Sequence, residues 1–155
     1  MKISSDHVIG ALIGLARACI SNGKGPCTDA VLLSALSCPP DAPEAELQRQ
    51  IRQIDAEKAQ VSPGCLTCTA RCGNTDPYDL SRLWSAPEEI RTQKSLMLAA
   101  LRMLALYSAQ NQDPAVNDFL YRGLYALAED WSADELRPYV LEAGALIVSA
   151  RALMP

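Results

Sequence analysis

Residues 88–110 read EEIRTQKSLMLAALRMLALYSAQ. Leu96, Met97, Leu98, Leu101, Met103, Leu104 and Leu106 put apolar side chains on most sides of a helix drawn through this stretch. A helix that is apolar nearly all round belongs at the centre of a bundle. Ser85-Ala86-Pro87-Glu88 has the pattern of a capping box and marks the expected start; the expected end is about Gln110.

Working outward, the same helical periodicity recurs. Downstream, Asp113-Pro114 opens a helix with Val116, Phe119, Leu120, Leu124 and Leu127 inward. Ser132 to Glu135 is a second capping box, and Leu136, Val140, Ala143, Leu146, Ile147 and Ala150 follow at spacings of three and four. Upstream, a helix is expected from Ser5 to Ile20, with Ile9, Leu12, Ile13, Ala16 and Ile20 as its buried stripe, stopped by Asn22, Gly23 and Gly25. Thr28 is the expected N-cap of a helix to Ser37. Pro43 opens another, with Glu44 and Glu46 in its first turn and a stripe of Leu47, Ile51, Ile54 and Val61. Asp76-Pro77 starts a short turn holding Leu80, Leu83 and Trp84. No strand-like alternation appears. The expected fold is all-α, a single domain over 1–155, a helical bundle of five to six helices with one long cysteine-bearing loop at 62–76.

Composition sets limits on function. The chain has 155 residues, 49% hydrophobic and 21% charged, which is globular. A net charge of −4 argues against nucleic acid and anionic membrane as partners. The segment VIGALIGLARACI at 8–20 superficially resembles a signal peptide, but Asp6, His7 and Arg17 interrupt it. A cytoplasmic protein with reduced thiols is therefore expected. Clustered cysteines in that setting more often bind metal than form disulfides.

Three of the six cysteines stand in SPGCLTCTARCGNT, residues 62–75. Loops this long without structure of their own are usually functional. Cys65 and Cys68 have the Cys-x-x-Cys spacing that lets one metal bridge two sulfurs across a turn. Cys72 lies within chelating reach, and Gly64 and Gly73 let the backbone bend toward a shared centre. Three thiolates hold an iron–sulfur cluster edge, or zinc with a fourth ligand. Cys27 and Cys38 are the two candidates for that fourth ligand. Cys19 is expected to be a small core residue and His7 a capping or surface residue. The turn around Gly23 and Gly25 lacks phosphate-loop spacing, and no nucleophile has a matched base.

From Cys65 onward the order is Cys-x-x-Cys, Cys-Gly, a polar stretch, the 88–110 helix, and then VNDFLYRGLYALAEDWSADELRPYVLEA. This resembles the N-terminal helical domain of the hybrid cluster proteins, or hydroxylamine reductases, which is related to a helical domain of nickel carbon monoxide dehydrogenases. The resemblance covers about 65–153. It implies a cubane, 4Fe-4S type cluster on Cys65, Cys68 and Cys72, with one family ligand lacking a counterpart in the loop. The later domains that carry the hybrid cluster have no counterpart here, so hydroxylamine reduction is not expected. Helices within 1–61 lie outside the resemblance.

These features lead to an expectation of a small metal-binding helical protein with an electron-transfer or redox-sensing role and an unidentified redox partner protein. The alternative is a zinc-bound or metal-free interaction module, a possible homodimer with Tyr121, Tyr125, Trp84 and Trp131 at the contact. A thiol oxidoreductase using Cys65 and Cys68 ranks third.

Overall fold

The end of each helix shows why the chain breaks where it does. The computed structural model describes residues 3–61 and 79–153, and every regular element among them is a helix. α1 spans Ser5–Asn22, α2 Thr28–Ser37, α3 Glu44–Val61, α4 Ser81–Trp84, α5 Glu88–Asn111, α6 Pro114–Ala128 and α7 Ala133–Leu153. These seven exceed the expected five or six because the short turn around Leu83 closes as the one-turn helix α4. The cysteine loop, with Asp76-Pro77, lies outside the described residues.

Several caps follow the sequence pattern. Asp113 accepts from the backbone N–H of Ala115 and Val116, and Pro114 occupies the first helical position. Ser132 and Glu135 cap each other reciprocally, side chain to backbone N–H, at 3.2 and 3.3 Å. His7 Nδ1 accepts from the Ser4 N–H at 3.0 Å, so the lone histidine is a capping residue. α1 ends at Gly23, whose φ of 86° suits glycine.

Two expected caps are corrected. Ser85 does not cap α5; its hydroxyl donates to the Arg82 carbonyl and closes α4, and Pro87 stands at the N-cap. Thr28 is not the N-cap of α2; Cys27 is, because the Thr28 hydroxyl turns back to Gly25.

The residues gather into two units, Met1–Leu80 and Ser81–Pro155. In the first, α3 packs on α1 and α2. Its core is the α1 face of Ile9, Leu12, Ile13 and Leu15 with Leu32, Leu36 and Ile54. Ile20, expected in that stripe, is exposed, since it falls in the last turn of α1.

In the second, α5 packs on both α6 and α7. Short connections send α6 back along α5 and α7 forward again. Lys94 Nζ donates to the Glu129 carbonyl at 2.9 Å, and Arg122 forks onto Glu142 at 2.9 and 3.0 Å. Phe119, Leu101, Leu104 and Leu124 fill the core. Leu101 presses on Gly123, where an added Cβ would sit 2.6 Å from Leu101 Cδ2. α5 is central to its unit but is not covered on all sides: Leu96, Met103 and Leu106 are 56%, 44% and 52% exposed. Of the aromatics expected at a contact face, Tyr121 is buried, Trp131 packs between Tyr125 and Tyr139 at 6.5 and 5.2 Å, and Trp84 is exposed.

Candidate functional site

The first unit brings its thiols to different places. α1 carries Cys19, and α2 carries Cys27 at its N-cap and Cys38 at its C-cap. A helix rises 1.5 Å per residue, so the two ends of α2 are roughly 16 Å apart. A zinc–sulfur bond is about 2.3 Å, so Cys27 and Cys38 cannot ligate one metal together.

The ends are also unlike. Cys38 is buried, and its thiol makes a long contact of 3.8 Å to the Pro39 carbonyl. Cys27 is exposed and lines an open cleft of about 440 Å³ between α2 and α3, together with Ser34, Gln53, Glu57 and Gln60. Gln60 is the penultimate residue of α3. Cys27 therefore stands beside the end of α3 that leads into the cysteine loop, and Cys38 stands at the far end of α2. Cys65, Cys68 and Cys72 lie outside the described residues. Among the described residues no three cysteine, histidine, aspartate or glutamate side chains come together at metal-binding distance.

The N-terminus of α2 is fixed by a buried polar cluster. The Gly25 N–H donates to Thr28 Oγ1 at 2.8 Å, and the Thr28 hydroxyl faces Glu57 Oε1 at 3.3 Å and the Gly25 carbonyl at 3.2 Å. Thr28 and Glu57 are both almost fully buried. A side chain at Gly25 would push the Glu57 carboxylate out of this cluster. Buried polar groups must be paired, and this set pairs itself.

Cys19 adjoins the cluster. Burial pushes its thiol up from 9.0 to about 11, against a smaller opposing pull from its hydrogen bond to Thr28. It stays protonated at neutral pH, which suits a core residue and neither a ligand nor a nucleophile. The sequence stripe through α3 missed Glu57 and Gln50. Both interleave with Leu47, Ile54 and Val61 at spacings of three and four, and that spacing was the available signal.

No family model matches the chain, and no solved structure matches it. A hydroxylamine reductase of Chlorobaculum tepidum is 37% identical over 75 residues, which are 45% of this chain and 14% of that protein. The chain is a partial relative of a hydroxylamine reductase. It spans about one seventh of that relative's length. No helix among the described residues is long and apolar enough to cross a membrane.

Proposed function

We propose that this chain is a small cytoplasmic metal-binding protein that holds an iron–sulfur cluster on Cys65, Cys68 and Cys72, with Cys27 as the fourth thiolate. The observation that carries the choice of Cys27 is its place in one cleft with Gln60, five residues before Cys65. Five residues of chain span at most about 17 Å, so Cys65 is within reach of Cys27. Cys38 is buried, about 16 Å away at the other end of α2, which makes Cys27 the nearer of the two to the start of the loop. Four soft sulfur donors suit iron–sulfur clusters and zinc. The resemblance of residues 65–153 to a cluster-bearing domain favours iron, and the 75-residue match to a hydroxylamine reductase agrees with that resemblance.

A bound cluster supplies one-electron transfer, which makes electron transfer to a redox partner protein, or redox sensing, the role. The chain's own contribution is to hold the α2 N-terminus rigid through Thr28, Gly25 and Glu57, so that Cys27 is presented at a fixed point.

The test is iron and acid-labile sulfide content, with a visible spectrum, on protein purified without oxygen. Iron and sulfide in near-equal amounts, lost in Cys65→Ser, Cys68→Ser, Cys72→Ser and Cys27→Ser but kept in Cys38→Ser, are the expected result. Loss in Cys38→Ser with retention in Cys27→Ser would reverse the fourth ligand. Zinc, or no metal, would leave an interaction module, a reading favoured by the exposed apolar side chains of the second unit.

A further inference from the structure

We draw no further inference here: the strongest candidate, the cleft between α2 and α3 where exposed Cys27 stands with buried Glu57, rests, apart from the cluster already proposed, on a lone cysteine at a helix N-terminus, because the Glu57 carboxyl is already paired with the Thr28 hydroxyl and no second group there points to a ligand.

Discussion

The two units solve opposite problems. The first holds its polar groups inside: Thr28, Gln50, Glu57 and Lys58 are all buried there, and Ile20 is its single exposed large apolar residue among those described. The second buries only Lys94 and Ser108 of its polar residues and leaves Leu96, Met103, Leu106, Leu141 and Val148 in solvent. Inward polarity specifies one geometry, because each buried donor and acceptor must find its partner. Outward apolar surface points the other way, to something that must cover it. The contrast separates the two units: the first is specified by polar groups paired inside it, and the second carries exposed apolar side chains.

The comparison breaks first at Thr28. Thr28→Val keeps the shape but strips the Gly25 N–H and Glu57 of their partner. We expect a loss of about 1–3 kcal/mol by chemical denaturation, since a part-buried N–H and a buried carboxyl group are left without their partner. A neutral result would mean the cluster does not organise the unit.

Cys19 comes next. Its folded-state pKa is raised, so its contribution is fully present below pH 9.0 and is lost as pH rises toward about 11, where the unfolded chain sheds the proton and the folded chain keeps it. Denaturation across that window should show wild type losing about 2 kcal/mol more than Cys19→Ala, which has no thiol to titrate. Alkylation of the native protein should mark exposed Cys27 before Cys19.

Two glycines sharpen the contrast between the inside and the outside of the second unit. Gly123→Ala drives a methyl against the fully buried Leu101 and should cost about 1–2 kcal/mol, net of the gain in helix propensity. Gly144→Ala enters open space and should stabilise by about 0.5–1 kcal/mol by chemical denaturation. Equal effects of the same sign would erase the distinction between packed and open glycine.

Much of the fold was legible because helix ends are local. Asp113-Pro114, Ser132 with Glu135, and Gly23 state their positions in adjacent residues, and the structure agrees. Ser85 and Thr28 were misread because their hydroxyls have a second choice. Ser85 reaches back to Arg82, and Thr28 answers to Glu57, 29 residues away.

The sequence by itself determined the helical class, most boundaries, and the thiols that lie close along the chain, since periodicity, capping and spacing act over a few residues. It also held both heptad patterns, Leu47-Gln50-Ile54-Glu57-Val61 and Leu96-Ala99-Met103-Leu106-Gln110. Periodicity shows that such residues share a side but not whether that side is covered. Tertiary packing decided that the first strip faces inward with its carboxylate paired and the second faces out. It also decided that Cys27, and not Cys38, stands where α3 ends. Burial and proximity depend on which helices meet, and no spacing along the chain contains that.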